Sequence, residues 1–140
     1  MYLLDTDVVS ELRRPRRDGN VVAWIEQITP TDLFISTVTA LEIEFGIEQQ
    51  RRDDPPFARG LEAWLDTTLR LYGDRILPLT VSIARRWGRL SVQIGNKNLD
   101  GAIAATALEH RLTVVTRNVA HYQRTGVTTV NPFEAQARRR

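Results

Sequence analysis

The chain reads as an α/β protein, a three-layer α/β/α sandwich built on a short, mainly parallel sheet. Two observations carry this. Short apolar runs that stop at an acid or a turn, such as Tyr2-Leu3-Leu4 before Asp5 and Leu33-Phe34-Ile35-Ser36, have the length and composition of buried strands. Between such runs lie longer stretches whose apolar residues recur at helical spacing, as Leu61, Trp64, Leu65 and Leu69 do. Strands separated by helices pair in parallel through right-handed crossovers, which places helices on both faces of the sheet.

Taken in order, Tyr2–Leu4 is the first strand, and Val8, Val9 and Leu12 mark a helix that the Arg13-Arg14-Pro15-Arg16-Arg17 stretch ends. Val21, Val22, Trp24, Ile25 and Ile28 mark a second short helix before Pro30. Leu33–Ser36 is the next strand. The helix after it carries Leu41, Phe45 and Ile47 and runs to the Asp53-Asp54-Pro55-Pro56 break. Phe57 to Leu71 is a helix with Leu61, Trp64, Leu65, Leu69 and Leu71 on its apolar side, closed by Tyr72-Gly73-Asp74. Ile76-Leu77 is a very short strand, and Val81 to Ile94 a helix that buries Ile83, Ala84, Trp87, Leu90 and Ile94. Leu99 to His110 is a helix of small residues that can pack closely on a sheet, and Thr113–Thr116 and Thr128–Val130 complete the strands. No internal repeat or dividing linker is present, so residues 1–134 are expected to form one domain, with 135–140 a basic tail.

Apolar residues make up 42% and charged residues 26%, the balance of a soluble globular chain, and no apolar run reaches the roughly 18 residues that would span a bilayer. The opening residues lack a basic leader, so a cytoplasmic protein without membrane attachment is expected. Absence of cysteine removes disulfides, thiolate metal sites and a cysteine nucleophile. The net charge of +2 is too small to argue for nucleic-acid binding, yet of nineteen Lys and Arg residues only Lys97 is lysine. Arg forms bidentate phosphate contacts and stacks on bases, which suits RNA, although a genomic preference for Arg codons is the plainer explanation of the bias.

Three acids stand out by position. Asp5 follows the first strand directly, Glu42 lies early in the helix leaving the second, and Asp100 opens the small-residue helix after the Gly95-Asn96-Lys97-Asn98 loop. Each has a plain use: Asp5 as a helix cap, Glu42 as the partner in a Thr39-Ala40-Leu41-Glu42 capping box, and Asp100 as a charge complementing its helix N-terminus. In open α/β sheets, however, ligands bind beyond the carboxyl ends of the strands, where all three would project. Two carboxylates about 4 Å apart repel by roughly 4 kcal/mol at an effective dielectric near 20, so a cluster of three calls for a cation. Oxygen ligands suit Mg²⁺ or Mn²⁺; two histidines and no cysteine supply zinc poorly. Such a centre fits phosphodiester cleavage.

These residues also carry a resemblance. Leu3–Leu12, Ser36–Ile43, Leu99–Ala107 and Val114–Tyr122 resemble, in order, the four motifs of PIN-domain toxins of the VapC/FitB type, and Val130-Asn131-Pro132-Phe133 is similar to that family's usual ending. The resemblance implies a PIN-like fold and a Mg²⁺- or Mn²⁺-dependent endoribonuclease, the toxin of a toxin–antitoxin pair, partnered by RNA and by a DNA-binding antitoxin of the VapB/FitA kind. Carried over residue by residue, Asp5, Glu42 and Asp100 are the catalytic, metal-binding acids. Where the family often has a fourth acid, this chain has Asn118 and His121. Asn118 could ligate or orient a water, with Thr116 assisting through its hydroxyl, and it is expected to matter more than His121, read as a partly exposed helix residue. Position 7, often Asn in the family, is Asp7 here, whose plain use is a cap. Homodimerisation is also implied; Trp24, Trp64 and Trp87 offer apolar surface for it, although core packing is their plainer use.

Two other readings remain. Asp5-Thr6-Asp7 fits the opening of haloacid-dehalogenase-like phosphatases, with Lys97 as the lysine that chemistry needs. Alternatively, the chain is a catalytically inactive PIN-like binding module.

Overall fold

The structure is a computed structural model, and it describes residues 1–135. Among the described residues five strands, β1 (Tyr2–Leu4), β2 (Leu33–Ser36), β3 (Ile76–Leu77), β4 (Thr113–Val115) and β5 (Thr129–Val130), form one sheet in the order β3-β2-β1-β4-β5. Every pairing is parallel; Tyr2 lies opposite both Leu33 and Thr113, and Ile35 opposite Ile76. The helices are α1 (Thr6–Arg13), α2 (Gly19–Glu26), α3 (Thr37–Asp53), α4 (Pro55–Tyr72), α5 (Val81–Ile94), α6 (Leu99–His110) and α7 (Val119–Tyr122).

Successive strand residues point to opposite faces, and β1 shows it. Leu3, fully buried, joins Leu90, Ala102, Ile103, Val114 and Tyr122 on the face covered by α5, α6 and α7. Leu4, equally buried, joins Val8, Val9, Val21, Trp24 and Val115 on the face covered by α1 and α2. Fully burying each leucine stabilises the fold by roughly 1.5–3 kcal/mol. A smaller cluster of Ile47, Ala58 and Leu65 joins α3 to α4. In α6 every residue from Gly101 to Ala107 is buried, which its small side chains permit.

Local signals set the boundaries. Asp18, Ser36, Asp54, Thr80 and Asn98 each cap a helix through the side chain. Gly95 ends α5 in the left-handed conformation at φ 86°, which glycine adopts without a Cβ clash. Arg111 takes the same conformation at φ 56° after α6.

Several expectations need correction. Ser36, not Thr39, is the N-cap of α3, so Glu42 is not the glutamate of a capping box. Leu41 and Phe45 are 55% and 64% exposed, and Leu71 is 72% exposed, because each sits on the outer side of its helix. Thr116 lies just past β4, and Thr128 just before β5. Trp24 is buried in the core, and Trp64 and Trp87 are half-buried against it. Arg138 to Arg140, the basic part of the expected tail, lie outside the described residues.

Candidate active site

The strand order fixes where a site can form. From β1 the chain builds outward through β2 to β3, then returns to the other side for β4 and β5. The order therefore reverses between β1 and β4, and a crevice opens beyond their carboxyl ends. Asp5 leaves β1 there and Thr116 leaves β4, and the Asp5 backbone N–H donates to the Val115 carbonyl at 2.9 Å.

Asp5 is buried and accepts three hydrogen bonds: Oδ1 from the Thr6 backbone N–H at 2.8 Å, and Oδ2 from the Thr116 hydroxyl at 2.8 Å and the Tyr122 hydroxyl at 2.9 Å. It therefore caps α1 and anchors the crevice at once. Burial nevertheless pushes its carboxyl above the usual range; the three bonds oppose this and the Asp100 carboxylate adds to it. Glu42 reaches in from the second turn of α3, where Oε1 accepts from the Thr6 hydroxyl at 2.7 Å. Its carboxyl is also raised, first by burial and then by Asp5 and Asp100. Asp100, in the first turn of α6, faces His121 Nδ1 at 3.0 Å. Carboxylates from three elements thus share one electrostatic neighbourhood, and each lies near the positive N-terminal end of a helix.

Around them stand the supporting residues. Asp7 Oδ2 accepts from the Arg117 backbone N–H at 2.9 Å and from the Asn118 amide at 3.4 Å, while its Oδ1 is buried with no hydrogen-bond partner among the described residues. Burial and the nearby Asp5 raise the Asp7 carboxyl to about 6. Thr116 also accepts from the Asn118 backbone N–H at 3.0 Å. Asn118 contacts Asp7, whereas His121 touches Asp100 directly, because the single turn of α7 brings it back over α6.

Two residues of the site were not singled out in the sequence. Thr6 bonds both Glu42 and Thr39, and Tyr122, fully buried, donates to Asp5 from the end of α7. Both lie inside the quoted motifs, Thr6 beside Asp5 and Tyr122 beside His121, and that adjacency was their only signal.

A hard divalent cation suits this donor set: the negative charge of Asp100 raises the carboxyls of Asp5 and Glu42, and among the described residues the buried Asp7 Oδ1 beside them lacks a partner. As the side chains stand, no group of three Asp, Glu or His residues is placed to ligate one ion together among the described residues. Glu42 is turned to Thr6 and Asp100 to His121.

A parallel sheet with carboxylates gathered at its switch point defines a class, and comparison gives it a name: the PIN domain family model matches residues 2–126, and the chain belongs to that family. It is 32% identical to Toxin FitB of Neisseria gonorrhoeae, over 95% of this chain and 99% of that protein. It is equally 32% identical to VapC ribonuclease Y4jK of Sinorhizobium fredii, over 96% of this chain and 99% of the relative. The crystal structure of FitAcB from Neisseria gonorrhoeae superposes with a TM-score of 0.83 at 32% identity, covering 95% of this chain and 99% of that one. This family membership sets aside the phosphatase reading. No helix among the described residues is long and apolar enough to cross a membrane.

Proposed function

We propose that the chain is a metal-dependent endoribonuclease and the toxin of a toxin–antitoxin pair. The observation that carries the proposal is the convergence of Asp5 from the end of β1, Glu42 from α3 and Asp100 from α6 at the sheet's switch point. Similarity along almost the whole chain to a protein named a ribonuclease and to one named a toxin supports it. The three acids would hold Mg²⁺ or Mn²⁺, with Glu42 drawn from Thr6 and Asp100 from His121. A bound ion would supply Lewis acidity at the RNA phosphate and a more acidic water. Thr116 and Tyr122 keep the Asp5 carboxylate fixed, and Thr6 holds Glu42 close to it before any ion arrives.

The partner proposal has its own observation. A cleft of about 250 Å³ between α1, α3 and α4 is lined by Arg13, Ile43, Phe57, Leu61 and Trp64 and opens beside Glu42. A DNA-binding antitoxin would lay an apolar segment there and reach the acids with an Arg, which meets carboxylates bidentately. Homodimerisation and a cytoplasmic location belong to the same proposal; the exposed Leu41 and Phe45 on α3 offer apolar surface to a second copy.

The test is to incubate the pure chain with total cellular RNA and Mn²⁺ and map the cut ends by sequencing. Defined internal cuts, lost in Asp100→Asn, are expected. Intact RNA under these conditions would favour the inactive binding module instead.

A further inference from the structure

A cavity lies beside the acids rather than among them. It has a volume of about 610 Å³, within the range of small-molecule sites, and opens at the carboxyl ends of β4 and β5. Its walls include Arg117, Asn118, His121, Asn131 and Glu134. His121 links the two places, since it lines the cavity and touches Asp100 at 3.0 Å.

One wall is a prepared plate. The Arg117 guanidinium lies over the Phe133 ring, 4.1 Å from its centroid. Phe133 is pinned on both sides of its backbone: its N–H donates to Asn131 Oδ1 at 2.9 Å, and its carbonyl accepts from Asn20 Nδ2 at 2.9 Å. The Arg117 backbone is fixed in turn by its N–H bond to Asp7. Arg117 itself is exposed, with its guanidinium carbon seated over the Phe133 ring. A guanidinium plane is a stacking surface for an unpaired base.

We propose that this cavity receives one nucleobase of single-stranded RNA, the base next to the phosphate cut at the acids, stacked on Arg117. The inference rests on the ribonuclease reading for the role of the base and on the cavity's geometry for its binding. It makes Arg117 and Phe133 determinants of which sequences are cut.

Binding in EDTA separates the two readings. Fluorescence anisotropy compares a labelled single-stranded RNA hexamer with the same hexamer carrying abasic residues. The parent should hold the base-bearing strand roughly tenfold more tightly, the effect of one stacked base. Arg117→Ala should lose that difference. Arg117→Lys should lose it too, because charge is kept and the plane is not, and Phe133→Leu should reduce it. Arg89→Ala on α5 should keep it. If Arg117→Ala weakens both strands equally, Arg117 is a phosphate contact and the base pocket is wrong. If the base preference depends on Arg117 but the protein cuts no RNA, the ribonuclease reading fails while the pocket stands. If RNA is cut and the preference survives Arg117→Ala, the pocket fails alone.

Discussion

Asp5 carries two duties that pull in opposite directions. Its three hydrogen bonds favour the carboxylate, while burial and the Asp100 charge disfavour it. Tyr122 supplies one of those bonds from a fully buried hydroxyl. Tyr122→Phe should therefore destabilise the fold by about 1–3 kcal/mol in urea unfolding, the cost of leaving a buried carboxylate oxygen short of a donor. Unchanged stability would mean that Thr116 alone satisfies Asp5. Glu42→Gln and Asp100→Asn should behave differently. Each should lower RNA cleavage at least 100-fold while leaving the metal-free protein as stable as the parent or more so, because repulsion is relieved. If either variant unfolds instead, that acid is structural. At this scale the sequence showed the acids well, because each closes a strand or opens a helix within a recognisable motif. It did not show Tyr122 or the hydroxyl of Thr6, since a buried tyrosine and a helix threonine look the same whether or not they face a carboxylate. Nor did it place His121 on Asp100, because a one-turn helix has no apolar repeat to set its orientation.

Among the elements, α6 depends most on the smallness of its residues. Gly101, beside Asp100, is buried, and a Cβ there would come to 3.0 Å from Trp87 Nε1. That indole N–H donates to the Asn98 carbonyl at 3.0 Å, which steadies the turn presenting Asp100. Gly101→Ala replaces a first-turn glycine with a better helix former, a gain of at most about 1 kcal/mol in an open helix. Here displacement of Trp87 should outweigh it, lowering the melting temperature by a few degrees and reducing cleavage; a rise in melting temperature would show that Trp87 yields freely. Helix boundaries were legible where capping residues and prolines stand in the sequence, as at Asn98 and Pro55. The faces of α3 were less so. Leu41 and Phe45 fit a buried helical pattern by spacing alone, and only the position of α4 and the sheet decides that they face outward.

For the whole molecule, the order β3-β2-β1-β4-β5 makes one crevice, and the crevice gathers negative charge. The sequence supported parallel pairing, through strands separated by helices, but not the order, which depends on the side of β1 to which each crossover returns. Stability should record the gathered charge. Asp7, with its carboxyl at about 6 against an ordinary 3.8, keeps a proton in the folded state that the unfolded chain has lost between those values. Metal-free stability contributed by Asp7 is therefore present below about pH 4 and lost as pH rises through about 6, and Asp5 and Glu42 act in the same sense. Glu48, held below the usual range by Arg51, and Glu109, held there by Ser82 and Arg86, act in the opposite sense at lower pH. Thermal melts in EDTA should show the parent losing stability relative to Asp7→Asn between pH 4 and 7, and parallel curves would contradict this.

A divalent ion reverses the balance by favouring charged carboxylates, and titration of Mn²⁺ by calorimetry into RNA-free protein at pH 7.5 addresses the central claim most directly. Three acids should bind one Mn²⁺ tightly and a second only weakly, since substrate phosphate would supply the oxygens the second ion lacks. Glu42→Gln and Asp100→Asn should each weaken the tight site at least tenfold. No measurable Mn²⁺ binding to the parent, or equal binding to the parent and both variants, would contradict the claim that Asp5, Glu42 and Asp100 form a metal centre.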